Sequence, residues 1–128
     1  PEFSSLNSFD ASRKAALVSG VGVLLKGAHT VISAPDGNTW QLERSSQFAA
    51  RAGWGDVLAG FASGIGAISC ASSSVFDHHF LAIAALMHSE SALRCQISSN
   101  ASDLAVFLAG LTKEGQEQRC IERHIPAF

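Results

Sequence analysis

Gly53 and Gly55 bracket one residue and are followed at once by Asp56 and the apolar run Val57-Leu58-Ala59, which closes on Gly60. No other stretch limits the fold of this chain as tightly. Neither glycine carries a Cβ, so the backbone can turn sharply and come close to another group. The apolar residues that follow predict a helix over residues 55–68, with Asp56 in its first turn beside backbone N–H groups that lack intrahelical partners. Such a turn is a ready anion site, and a carboxylate next to it is what phosphoryl transfer uses. An acid at a helix start also serves stability alone, through the macrodipole. Capping by itself, however, does not call for both Gly53 and Gly55.

The rest of the chain sets this turn in an α/β frame. Residues 10–19 read as a helix capped by Ser8 or Asp10 and ended by Gly20. Residues 21–25 are a short continuous apolar run, the pattern of a strand buried on both faces of a parallel sheet. Residues 29–33 and 38–42 flank Pro35-Asp36-Gly37, a strong turn signal, and read as a hairpin attached to that sheet. Residues 43–52 form a connection without a clear period. Within 55–68, Ala59, Gly60, Ala62, Ser63, Gly64 and Gly66 are small, and each helical glycine costs about 1 kcal/mol, so close packing of a neighbour or ligand is expected. Residues 77–97 form a long helix, and Ser102 or Asp103 caps another that runs to about residue 113. One buried strand and one hairpin are few for a freestanding αβα sheet. The expected division is a linker or cloning remnant over 1–9, the C-terminal part of a larger domain over 10–113, and a polar, frayed tail over 114–128.

Composition narrows the classes of function. With 128 residues, 47% apolar and 16% charged, the chain reads as one globular unit. A formal net charge of -2 and the lack of any basic block argue against nucleic acid as a partner. No run is expected to reach the ~20 apolar residues of a membrane span. Cys70, Cys95 and Cys120 fit no CxxC spacing and read as free thiols of a reducing, cytoplasmic setting. His78-His79 and His88-x-Glu90 offer ligand types without a metal spacing, so no metal site is assigned to the protein's own side chains. On an otherwise apolar helix, His88 is expected to be a hydrogen-bonded core or interface histidine. Lys26-Gly27-Ala28-His29-Thr30 follows the buried run, where ligands of open α/β sheets gather. Lys26 there could meet a phosphate; the plain alternative is a solvated lysine in a strand-to-hairpin turn.

Taken in order, Val23-Leu24-Leu25-Lys26-Gly27-Ala28-His29-Thr30-Val31-Ile32, Pro35-Asp36-Gly37 and Ala52-Gly53-Trp54-Gly55-Asp56-Val57-Leu58-Ala59-Gly60 resemble the C-terminal half of the ADP/ATP-dependent NAD(P)H-hydrate dehydratases, of the ribokinase-like superfamily. Ala84-Ala85-Leu86-Met87-His88 and Ala101-Ser102-Asp103-Leu104 are similar to later pieces of the same family, and the likeness spans roughly residues 10–112. The resemblance implies a three-layer αβα ribokinase-like fold, of which this chain holds the C-terminal portion: a short parallel sheet, a β-hairpin and about four helices. It implies repair of hydrated NADH or NADPH, by phosphorylation of the ring hydroxyl from ADP or ATP with Mg²⁺ and loss of phosphate. Lys26, Gly27, Ala28, His29, Thr30 and Gly55 would then contact the nucleotide. Gly53, Trp54 and Gly55 would form the anion hole, and Asp56 would touch the hydrate and act as base. Trp54 stands where the family usually has Thr, Ser or Ala, so its indole either crowds the phosphate or points outward. The alternatives are a related kinase acting on a vitamin precursor or sugar, and a truncated, non-catalytic domain kept for oligomer contacts. The helix at 77–97 is the expected face of a homo-oligomer.

Overall fold

The computed structural model describes residues 6–43, 50–72, 77–95 and 98–122, with side chains given up to residue 111. The element order is α1 (Ser8–Ser19), β1 (Val23–Leu25), β2 (Val31–Ser33), β3 (Thr39–Gln41), α2 (Trp54–Ser72), α3 (His79–Arg94) and α4 (Ala101–Glu122). The expected connection at 43–52 lies largely outside the described residues.

Local chemistry explains most boundaries. α1 is capped by Asn7, whose Oδ1 accepts from the Asp10 N–H at 2.9 Å, rather than by Ser8 or Asp10. Gly20 ends it in the left-handed region (φ 70), with its N–H on the Ala16 carbonyl. Between β2 and β3, Gly37 adopts φ 96 and Asp36 Oδ1 accepts from the Asn38 N–H at 3.0 Å, so the Pro35-Asp36-Gly37 turn is built as its residues predict. α3 starts two residues later than expected, with the Asp77 carboxylate accepting from the His79 N–H at 2.9 Å. Asn100, not Ser102 or Asp103, caps α4. Its Oδ1 accepts from the N–H groups of both residues, and Asp103 Oδ2 accepts back from the Asn100 N–H at 2.7 Å. α4 also runs past the expected stop near residue 113 to Glu122, because Lys113, Glu114 and the Gln/Glu/Arg run after Gly115 are good helix formers.

The three strands are sequential neighbours in the order β1-β2-β3, and both pairings are antiparallel. The short parallel sheet expected around residues 21–25 is therefore not formed among the described residues. β1 and β2 are joined by residues 26–30 alone, too few for a parallel crossover. The strand covered on both faces is β2: Val31, Ile32 and Ser33 are all buried, while Leu25 of β1 is exposed. α1 packs on β1 and β2, and a buried Ser12 Oγ donates to Ser33 Oγ at 2.9 Å. On the other side, Leu24 packs against Leu58, Ala62 and Ala84 of α2 and α3. Helix, sheet and helices make three layers, as expected of the fold class.

α2, α3 and α4 pack on one another. At 19 residues with a mean hydropathy of 1.2, α2 is long and apolar enough by composition to cross a membrane, contrary to the expectation from sequence. Its alanines and its Val, Leu, Ile and Phe residues raise the average, and its Trp54, Leu58, Ala62 and Gly66 stripe is buried against the other helices. Close packing accounts for only some of the small residues of α2. A Cβ on Gly66 would lie 2.9 Å from the Phe80 ring, so close packing holds there; at Gly60 and Gly64 a Cβ would meet nothing within 4 Å.

Candidate nucleotide site

The Gly-Trp-Gly-Asp turn forms the start of α2. Gly53 adopts φ 78, which a side chain would strain, and a Cβ on it would lie 3.1 Å from the Ala101 Cβ at the start of α4. The Trp54 N–H donates to the Arg51 carbonyl at 3.3 Å and the Val57 N–H to the Gly53 carbonyl at 3.1 Å. The N–H groups left facing out of the first turn are those of Gly55 and Asp56. Of the three residues expected to make an anion hole, Trp54 thus has its N–H engaged within the turn. Gly55 and Asp56 are both exposed, and a Cβ on Gly55 would meet nothing within 4 Å.

Trp54 neither crowds this space nor points outward. Its side chain is fully buried, packed with Ala92 and Cys95 at the end of α3 and with Leu104 and Leu108 of α4. The Arg51 guanidinium lies 4.7 Å from the ring centroid, and Arg51 Nη1 donates to the Ser99 carbonyl at 2.8 Å. The His88 ring meets the indole edge-on at 6.5 Å. Trp54 Nε1 is buried without a hydrogen-bond partner, a cost accepted in exchange for the packing.

His88 ties α3 to this turn. It is 3% exposed, and its Nε2 lies 2.9 Å from the Trp54 carbonyl. A carbonyl only accepts, so Nε2 carries the proton. Burial holds the imidazole pKa below 6.5; the bond to Trp54 pulls it up, and the Lys26 ammonium adds to the depression. Lys26 lies just past β1, exposed in the stretch that joins it to β2. The sequence marks His88 as a hydrogen-bonded core or interface histidine, but nothing in its spacing marks it as a partner of the α2 start.

Within residues 26–30, Lys26, Gly27, Ala28 and His29 are exposed and Thr30 is buried. The Thr30 hydroxyl sits 3.4 Å from the Gly27 carbonyl and 3.5 Å from the Gly27 N–H, so it closes the loop on itself. Beyond Asp56, Val57 and Phe61 line an apolar groove of about 450 Å³ together with Ala105, Leu108 and Ala109. Outward N–H groups and an open glycine suit the phosphates of a nucleotide. Among the described residues no three His, Cys, Asp or Glu side chains gather as metal ligands. A Mg²⁺ ion here would be held chiefly by phosphate oxygens and water, the usual arrangement for that ion.

Of the remaining polar candidates, His79 Nδ1 lies 3.5 Å from Asp77 Oδ2 and its ring 4.8 Å from Trp40, a surface cluster away from this site. Cys95 is buried in the Trp54 cluster, whereas Cys70 is exposed, so only the first behaves as the small core residue expected.

An α1 layer, a small antiparallel sheet and a helical layer, with a glycine turn opening α2, make an α/β protein of layered architecture. The dehydratase from Bacillus subtilis described as ADP/ATP-dependent NAD(P)H-hydrate dehydratase, co-crystallized with ATP/Mg²⁺ and soaked with CoA, superposes with a TM-score of 0.68 at 24% identity, over 82% of this chain and 39% of that one. Residues 5–111 match the carbohydrate-kinase-type family described as NAD(P)H-hydrate dehydratase, and the chain belongs to that family. Two bifunctional NAD(P)H-hydrate repair enzymes, Nnr, are similar: that of Synechocystis sp. is 43% identical over 65 residues, and that of Gloeobacter violaceus 43% over 60. These matches take in 51% and 47% of this chain and 12% of each relative.

Proposed function

We propose that this chain carries the nucleotide-binding part of an enzyme that repairs hydrated NADH or NADPH, using ADP or ATP with Mg²⁺. The observation that carries the reading is the start of α2. Trp54 turns its indole into the core, which leaves Gly55 and Asp56 open.

The chemistry follows from those groups. Asp56 accepts the proton of the ring hydroxyl as that oxygen attacks the terminal phosphorus of the nucleotide. The P–O bond to the leaving nucleotide breaks as the new one forms, and the Gly55 and Asp56 N–H groups with Lys26 offset the charge on the transferred group. Residues 26–29 border the nucleotide, with Thr30 holding their loop in shape, and Gly53 gives the turn its course. Mg²⁺, when bound, supplies neutralisation of the phosphate oxygens. Phosphate then leaves with its C–O electron pair as a ring proton is lost, which restores the dihydronicotinamide double bond.

A cytoplasmic setting belongs to the same proposal. So does self-association, supported by Ile83, Leu86 and Leu93, which leave one side of α3 half exposed (47%, 52% and 49%). The test is a substrate comparison in the full-length protein. Dehydration of the hydrate dependent on ADP or ATP is expected. Phosphorylation of a vitamin alcohol or sugar with the hydrate untouched would favour the kinase reading. Calorimetry showing no binding of either nucleotide would favour a non-catalytic domain.

A further inference from the structure

We propose that His88 is a positioning residue for the nucleotide site: from α3, its imidazole donates to the Trp54 carbonyl and fixes the first turn of α2, so that the Gly55 and Asp56 N–H groups stay aimed at one point. The inference rests on the functional reading above for its consequence in turnover, but on geometry for the clamp itself.

A carbonyl in the first turn of an α-helix already receives the N–H four residues on, here that of Leu58. The Trp54 carbonyl takes a second donor, His88 Nε2 at 2.9 Å, from a side chain 3% exposed. A polar ring is seldom buried without such a purpose, because an unpaired donor there is costly. The rest of the residue is held as well. Arg51 covers the indole face at 4.7 Å and bonds Ser99 just before α4, and the His88 ring closes the indole edge. Gly53 abuts Ala101. The turn is thus secured from α3 and α4, and His88 hydrogen-bonds its backbone directly. A helix start left to fray would let Gly55 and Asp56 wander, and small misplacements at a phosphoryl-transfer site are expensive in rate.

Two polar substitutions separate the clamp from mere polarity. The amide of His88→Gln reaches about as far as Nε2, whereas that of His88→Asn stops short. In the full-length protein, hydrogen exchange at the Leu58 amide is compared with amides in the last turns of α2, alongside kcat and the nucleotide KM. The expectation for His88→Asn is Leu58 exchange faster by on the order of tenfold, the worth of one net hydrogen bond, and a fall in kcat larger than the change in KM. His88→Gln should recover both. Equal Leu58 protection in the two variants and the wild type would overturn the clamp. Faster exchange in His88→Asn with kcat and KM unchanged would overturn its role in positioning. If the wild type turns over no hydrate, the functional reading fails on its own, and the exchange comparison together with ATP·Mg²⁺ binding to the variants still decides for or against His88.

Discussion

Replacing Trp54 separates an indole that builds the core from one that blocks the site. The side chain is fully buried among Ala92, Cys95, Leu104 and Leu108, with Arg51 on its face. Truncating a buried Trp to Ala removes its transfer free energy and leaves a cavity, together about 3–5 kcal/mol. Against a total of roughly 5–15 kcal/mol for an ordinary domain, that is a large share. Trp54→Phe keeps most of the packing and deletes the buried, unpartnered Nε1–H, whose isolation costs roughly 1–3 kcal/mol. The two effects oppose each other, so Trp54→Phe should stay within about 1 kcal/mol of the wild type. Urea denaturation of the full-length protein measures both, and calorimetry with ATP·Mg²⁺ measures the site. The expected result is a lower midpoint for Trp54→Ala and no tighter nucleotide binding in either variant. Were Trp54→Ala as stable as the wild type, or were it to bind nucleotide more tightly, the inward placement of the indole would be refuted.

Other outcomes follow from the same geometry. Gly60→Ala and Gly64→Ala should each raise stability by about 0.5–1 kcal/mol in thermal melts, since nothing opposes a Cβ there, whereas Gly66→Ala should lower it by about 1–3 kcal/mol as the methyl meets Phe80 at 2.9 Å. Gly53→Ala should cost roughly 1–2 kcal/mol in the same melts for its left-handed backbone alone, and more if Ala101 cannot yield. Because burial lowers the His88 pKa, the unfolded chain takes up the proton first. Stability attributable to His88 is therefore complete above pH 6.5 and is lost as pH falls from there towards the lower folded value. Denaturation midpoints across that window should drop more for the wild type than for His88→Gln.

Much of this was legible in local chemistry. The Gly20 stop, the Pro35-Asp36-Gly37 turn and the helix opening at the glycine pair each rest on a residue whose backbone preference leaves little choice. Cap identity was less secure, because Asn7, Ser8 and Asp10 all suit a cap and only the folded turn selects Asn7. Strand direction was misjudged from the apolar run at 21–25. Such a run marks burial rather than pairing, and the five-residue link to β2 was the better guide. The direction of Trp54 could not be read from sequence at all. It depends on Ala92 and Leu104, apolar residues 38 and 50 positions along the chain that pack against the indole. His88 was recognisable as a buried histidine, but its partner is a backbone carbonyl, which leaves no trace in side-chain patterns.

The central claim is that Asp56, at the open start of α2, takes the proton in a nucleotide-dependent repair of hydrated NADH or NADPH. The most direct measurement is recovery of reduced-nicotinamide absorbance by the full-length protein with ATP or ADP and Mg²⁺, beside Asp56→Asn. Recovery in the wild type and a loss of about 10²–10⁴-fold in kcat for Asp56→Asn, with nucleotide still bound, is the predicted result. Equal rates in the two proteins would contradict it.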